Sequence, residues 1–425
     1  MKKIKSVIPI ILWALPFILH AQLTIEECQE KARINYPLIK QYDLIEKSKE
    51  YNLLNAGKGY LPQFSLSAKA SYQTQVTEIP IKIPGVDIQG PNKDQYGITL
   101  DVSQTIWDGG VISSRKNVLK TNADVQHKKL EVDLYTVTER VNSLFFGILL
   151  LDANIIQNDL YQQELTRNYN LIYSYMENGI ANQADVDVIK VEQLNALQKQ
   201  IQLKANRKAY TEMLSTLINY PVTDSTILIR PDTESIISNL SNEVNRPEIQ
   251  LFEAQLNNLE GQKRLLKTGH LPRLGLFATG GYGNPGLNML KPEFSAYFMG
   301  GIRLSWNFGG LYTYKNEKRL VEINQNNILT MRETFLFNNN LESIQKLNEI
   351  NKNQDLLEYD NEIITLRNNI KRAAEAKVTN GTMSVSDLMK EIIREDMAKQ
   401  DKISHEIELL QSVYGLKYIT NNMNQ

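Results

Sequence analysis

The stretch "YLPQFSLSAKASY" at residues 60–72 returns, altered, as "HLPRLGLFATGGY" at residues 270–282. Leu61-Pro62 falls on Leu271-Pro272 at an offset of 210, with no gap. Outward from this pair, "NYPLIKQY" (35–42) matches "NRPEIQLF" (245–252) at the same offset. "WDGG" (107–110) answers "NFGG" (307–310), and "ENGIANQADV" (177–186) answers "TNGTMSVSDL" (379–388), at offsets of 200 and 202. Four landmarks in one order make the chain a duplication. Each copy reads as helix, strand, loop, strand, very long helix, turn and long helix. The first copy spans 22–220, with strands at about 62–77 and 95–107 and helices at about 111–178 and 183–219. A connector at 221–238 leads to the second copy, 239–420, with strands at about 272–283 and 293–308 and helices at about 311–379 and 384–418. Residues 421–425 form a polar tail.

From Phe64 to Val76 the even positions read Phe, Leu, Ala, Ala, Tyr, Thr, Val and the odd positions are polar. Period two is the mark of a strand with one apolar and one polar face. Tyr96–Ile106 and Phe294–Phe308 repeat it; Leu274–Tyr282 is the weakest of the four, because glycines interrupt it. Thirteen residues at about 3.3 Å each, tilted near 45°, cover roughly the 25–30 Å apolar band of a membrane. Tyr72, Tyr96, Trp107, Tyr282, Phe294 and Trp306 near the strand ends suit an interfacial girdle. Each Leu-Pro, through Pro62 and Pro272, marks where a helix stops and the chain turns into the membrane, because proline ends the helical ladder and extends its predecessor. Gly109-Gly110 and Gly309-Gly310 mark the return. Four strands cannot close a barrel, since single-chain barrels begin at about eight. An open edge in lipid is prohibitive, so several chains must share one barrel.

After Gly110 no proline occurs until Pro221, and after Gly310 none occurs at all. Residues 111–178 as one helix would be about 100 Å long. Leu130, Leu134, Val137, Val141, Leu144, Ile148, Leu151 and Ile155 step four and three, a coiled-coil seam. Tyr359, Ile363, Leu366 and Ile370 form a second seam, and Ile403, Ile407, Leu410 and Tyr414 a third. Asn178-Gly179 and Asn380-Gly381 fit helix stops, with glycine in the left-handed position. The helices alone fit an ordinary periplasmic coiled-coil scaffold, a reading that leaves the attached amphipathic strands unexplained.

The N-terminus has a basic start (Lys2, Lys3, Lys5), an apolar run from Val7 to Leu19 broken by Pro9 and Pro16, and a small-residue site before Gln22. That is a signal peptide, residues 1–21, and the run is too short for a membrane span. Its removal leaves 44 basic and 48 acidic residues, which carries no basic nucleic-acid footprint. No later segment reads as an 18-residue apolar run, so any membrane passage falls to the strands. The single cysteine, Cys28, reads as a small apolar helix position. Gly281, Gly283 and Gly286 have dinucleotide-fingerprint spacing, but Pro285 and the absence of a following helix make "GGYGNPG" a loop between strands. Ser113 and Lys116 mimic an acyl-transfer site on a polar helix face, without its partner motifs. His127, His270 and His405 lack metal-ligand neighbours at suitable spacing. No phosphate loop is written, so no cofactor, metal or catalytic residue is expected, and transport energy must come from a partner.

"LTIEECQEKARINYPLIKQY", "YLPQFSLSA", "QTIWDGG" and "ENGIANQADV", with the second copy, resemble the TolC-like outer-membrane efflux proteins over essentially the whole mature chain. The resemblance implies a mainly α fold with a β-barrel portion: a homotrimer with a twelve-stranded outer-membrane barrel continued by a periplasmic α-helical barrel. It implies a passive exit duct for small molecules, joined through a periplasmic adaptor (membrane fusion) protein to an inner-membrane transporter. A type I exit duct for proteins or peptides shares the fold. By the same resemblance Gly179 and Gly381 are tip glycines that meet the adaptor, and Asp185 and Asp387 help to constrict the entrance. Two positions depart from the family pattern. Met383 stands where a basic residue often pairs with an acid, and Lys390 stands where a second acid rings the pore. The expected substitute is a contact of Asp387 with Lys390.

Overall fold

The computed structural model describes residues 22–77, 90–224, 226–238 and 243–421. The leader, residues 78–89 of the first strand-to-strand loop and residues 422–425 lie outside the described residues. In chain order the elements are β1 (Gln22–Leu23), α1 (Ile25–Asn35), α2 (Gln41–Gly57), β2 (Gln63–Tyr72), β3 (Asp94–Trp107), α3 (Val111–Glu177), α4 (Gln183–Ile218), β4 (Ile227–Leu228), α5 (Thr233–Ser238), α6 (Pro247–Gly269), β5 (Arg273–Asn284), β6 (Ser295–Ser305), α7 (Leu311–Thr379) and α8 (Val385–Thr420). They form two compact units. One takes the residues through Ile39, Leu134–Asn245 and Asn339 onward; the other takes Lys40–Asp133 and Arg246–Asn338.

The second unit holds an antiparallel sheet in the order β2-β3-β5-β6. The registers Leu66↔Leu100, Leu100↔Gly280 and Gly280↔Phe298 put even-numbered residues of all four strands on one face. That face carries Phe64, Leu66, Ile98, Leu100, Leu276, Phe298, Ile302 and Leu304, and Phe64 and Leu66 are each 70% exposed. The opposite face carries Ser67, Lys69, Thr99, Asp101, Thr279 and Arg303, with Ser67 and Thr99 hydroxyls 2.7 Å apart. A bulge between Thr105 and Trp107 shifts the parity at the end of β3 and sets Trp107 opposite Leu274, on the apolar side.

Two strands are shorter than their sequence patterns. Alternation continues past Tyr72, but the last backbone bond there is Gln73 N–H to Lys93 O, and Pro91, which has no N–H, follows on the opposite side. β6 ends at Ser305, where β5 itself begins opposite it at Arg273. The glycine-interrupted strand is central and fully paired on both sides, and "GGYGN" is the end of β5 rather than a loop. The glycines are spaces for neighbours. A Cβ on Gly281 would meet the Tyr297 ring at 2.3 Å, and one on Gly283 would meet Tyr96 O at 2.6 Å.

Helices of the same unit meet at specific contacts. Asn258 of α6 donates to Thr121 Oγ1 (2.9 Å) and Val118 O (3.2 Å) of α3, and Phe252 of α6 packs near Phe335 of α7. His127 of α3 lies 2.7 Å from Glu46 of α2.

In the first unit, Val137, Val141, Leu144, Phe145, Phe146 and Ile148 of α3 join Ile407, Leu410, Val413 and Tyr414 of α8, with Cys28 and Ala32 of α1, in one core. The α3 and α8 seams are therefore buried. α3 does contain an 18-residue stretch apolar enough to cross a membrane, contrary to the expectation of no such run, and nearly half of that stretch is buried inside the protein. The α7 seam differs: Tyr359, Ile363, Leu366 and Ile370 are 45–61% exposed. Their heptad spacing is right, but among the described residues no surface covers them. The connector is also structured. β4 pairs in parallel with β1 (Leu23↔Leu228), and α5 follows it.

Candidate functional site

The two helical hairpins turn by the same chemistry. Gly179 (φ +73°) donates to Met176 O and Ile180 to Tyr175 O; Gly381 (φ +70°) donates to Val378 O and Thr382 to Lys377 O. Both are Schellman stops, in which the left-handed glycine lets the next residues satisfy the last carbonyls. A Cβ at either glycine would touch nothing within 4 Å, so backbone conformation alone asks for glycine. The returning helices start on side-chain caps. Asn182 Oδ1 accepts from Asp185 N–H and Asp185 Oδ2 from Asn182 N–H, both at 3.1 Å, a capping box. Ser384 Oγ accepts from Asp387 N–H at 3.1 Å and donates to Asp387 Oδ2 at 2.7 Å.

Asp185 and Asp387 thus sit at the third helical position, where a carboxylate also favours the positive end of the helix dipole. Lys390 Nζ lies 2.8 Å from Asp387 Oδ1 on the same helix. The lysine and Ser384 hold the exposed Asp387 carboxyl below its ordinary range. Met383 packs against an apolar cluster of Leu165, Ile172, Val186, Ile189, Val378 and Leu388. The departure from a basic residue there is an apolar plug at the hairpin turn.

Sequence reasoning missed a buried ionic centre above that cluster. Lys371 Nζ of α7 lies 2.5 Å from Glu164 Oε1 of α3 and 2.5 Å from Glu395 Oε2 of α8. Lys399 Nζ is 2.9 Å from Glu395 Oε1, and Asn368 also donates to Glu395. Burial would raise the Glu395 pKa, but the bonds from Asn368, Lys371 and Lys399 outweigh it and bring it to about 2. Beside it, burial raises the pKa of Asp396, which accepts from Gln157 of α3 at 2.8 Å. The partners are 207 residues apart in the chain, and no local pattern links them.

At the strand ends, Pro62 precedes β2 and Pro272 precedes β5 directly. The glycine pairs behave differently in the two repeats. Gly109 (φ +70°) and Gly110 (φ +87°) are left-handed, and Asp108 caps α3 by accepting from Gly110 N–H (2.8 Å) and Ile112 N–H (2.6 Å). Gly309 and Gly310 have no positive φ; a Cβ on Gly310 would meet His270 Nδ1 at 2.6 Å, and Asn307 caps Gly309 N–H at 3.0 Å. Among the described residues no cluster of His, Cys, Asp and Glu has the arrangement of a metal site.

The sequence profile described as "Outer membrane efflux protein" matches residues 29–220, nearly the whole first repeat. Over these residues the chain is similar to that family. Proteins of that family are transport proteins of the outer membrane rather than enzymes. No curated protein matches its sequence. Among solved structures, this chain resembles the outer membrane protein VceC from Vibrio cholerae, with 12% identity, a TM-score of 0.67, and 93% of this chain and 95% of that chain covered. It resembles the Campylobacter jejuni CmeC outer membrane channel, with 15% identity, a TM-score of 0.64 and coverage of 93% and 85%. It also resembles the open state of the Neisseria gonorrhoeae MtrE outer membrane channel, with 11% identity, a TM-score of 0.64 and coverage of 93% and 88%. At such identities the likeness establishes the fold: mainly α, with the strands and long helices of both repeats.

Proposed function

We propose that three copies of this chain, each giving four strands, close one twelve-stranded barrel in the outer membrane, with the helical hairpins continuing it as an α-helical barrel in the periplasm. The sheet carries this reading: one face is apolar and exposed, and β2 and β6 each have a partner on one side only. In lipid each unpaired backbone group costs several kcal/mol, so the edge of one copy must pair with the opposite edge of the next. The exposed α7 seam supports the same assembly, since only another copy can cover it. A pore-free scaffold gives the apolar sheet face no purpose.

In this assembly the chain is a passive exit duct for small molecules. An inner-membrane transporter supplies the energy through a periplasmic adaptor that meets the tips at Gly179 and Gly381. Asp185, Asp387 and Lys390 line the constricted entrance. Pro62, Pro272, Gly109, Gly110, Gly309 and Gly310 stand at the membrane boundary. Membrane fractionation followed by chemical cross-linking tests the reading. A trimer in the outer-membrane fraction is expected, and a soluble monomer or dimer would sink it.

A further inference from the structure

Two arginines stand on the polar face of the sheet without a carboxylate. Arg273 opposes Ser305 and Arg303 opposes Gly275 in the β5–β6 ladder, at the end of the sheet next to the helices. Across the same level the face offers Thr105, and two residues further along it Gln63 and Ser103. The one acid on the face, Asp101, is four residues further along β3, about 13 Å at 3.3 Å per residue, and accepts from Thr279 Oγ1 at 2.5 Å. Arg303 lies over the Phe277 ring, 4.6 Å from its centroid, a cation–π contact that holds the guanidinium against the wall. Both arginines line one depression of about 140 Å³ with Ser103, Thr105 and Phe277. At about 30 Å³ per water, that volume takes a carboxylate, phosphate or sulfonate group with part of its hydration.

The duplication shows that the fold does not ask for these charges. At the repeat offsets of 210 and 200, Arg273 falls on Gln63 and Arg303 on Ser103, both neutral. At these two positions the positive charge is written in one repeat only, the first repeat's cation on this face being Lys69 further along β2. It also points away from lipid, because sheet parity puts both residues opposite the Phe298 and Leu304 face.

On the reading that the polar face is the lumen, we propose that Arg273 and Arg303 form an anion-binding station on the duct wall. It favours passage of small molecules bearing carboxylate, phosphate or sulfonate groups over cations. Three copies would set six guanidinium groups around one water-filled section, where converging like charges raise the local concentration of anions. Arginine supplies the forked donor geometry that such oxyanions accept.

The single native cysteine is buried, so an introduced thiol reports alone. Ser103→Cys in the trimer, reconstituted in lipid vesicles, is reacted with a sulfonate-bearing and a trimethylammonium-bearing methanethiosulfonate. Adding Arg273→Gln and Arg303→Ser, the residues of the first repeat, is expected to lower the anionic-to-cationic rate ratio by roughly threefold or more. Millimolar inorganic phosphate should slow the anionic reagent only while both arginines are present. An unchanged ratio overturns the station. If neither reagent reaches Ser103→Cys while both label Leu100→Cys on the other face, the lumen assignment fails instead. Recovery of the trimer in each variant, measured alongside, shows that the wall is intact.

Discussion

Lys371 is an amine held between carboxylates from two other helices, and it decides how much of the hairpin contact is electrostatic. Lys371→Met would leave Glu164 and Glu395 without the amine that bridges them, Lys399 still pairing with Glu395; losing one partner of a buried pair costs up to about 3–5 kcal/mol. Converting all three, with Glu164→Gln and Glu395→Gln, should recover most of that stability, because a neutral layer needs no compensation. Denaturant unfolding of the purified protein reads both. The acid response has a definite sign. Glu395 is depressed to about 2 from 4.5, so its stabilisation is complete above about pH 4.5 and is lost as pH falls toward 2. Asp396, raised by burial, works the opposite way and favours the fold in acid. The triple variant should therefore lose the acid-labile step between pH 4.5 and 2. At the tips, Gly179→Ala and Gly381→Ala should each cost on the order of 1 kcal/mol through φ alone, and asparagine at the same positions should recover part of it. Thermal unfolding of the detergent-solubilised protein is the check.

Among the elements, α3 and α7 show what hydrophobic spacing can and cannot tell. Both carry four-three seams in sequence. The α3 seam closes on α8 and α1, while the α7 seam remains exposed, because spacing defines a face and not the owner of its partner. The strands were legible for the same reason: period two alone gave the apolar and polar faces that the registers reproduce. Their ends were not, since they depend on Pro91 and on where the opposite strand begins. The bulge before Trp107 and the Lys371 centre were invisible because each is a relation between distant segments. The α7 face yields a clean separation. Ile363→Asp with Leu366→Asp should leave the helical content of the chain unchanged and abolish cross-linking to a trimer. Val141→Asp, at a position that is 0% exposed, should instead prevent folding. Circular dichroism and cross-linking on the same preparations distinguish the two.

For the whole molecule, the duplication was legible from four landmarks, and the family's entrance residues could be placed on it. What sequence did not convey was that Asp387 is already engaged by its own cap and its own helix. The entrance prediction follows from that local pairing. Asp387→Lys should raise the closed-state leak of single channels, because it sets two cations side by side at the turn. Combining it with Lys390→Asp restores the local pair and should restore the low leak. Equal conductance in all three would remove both residues from the entrance.

The hydroxyl of Tyr414 donates to Glu26 at 2.7 Å, a contact between residues 388 positions apart. This single bond sets an order of events. α1 precedes α8 in the chain, so its core on α8 is completed only after everything between them has been exported. Closing a loop of that length costs on the order of 5 kcal/mol in chain entropy before any packing is gained. Maturation should accordingly be slow, with the apolar strands waiting in an aqueous compartment for α1 and α8 to meet.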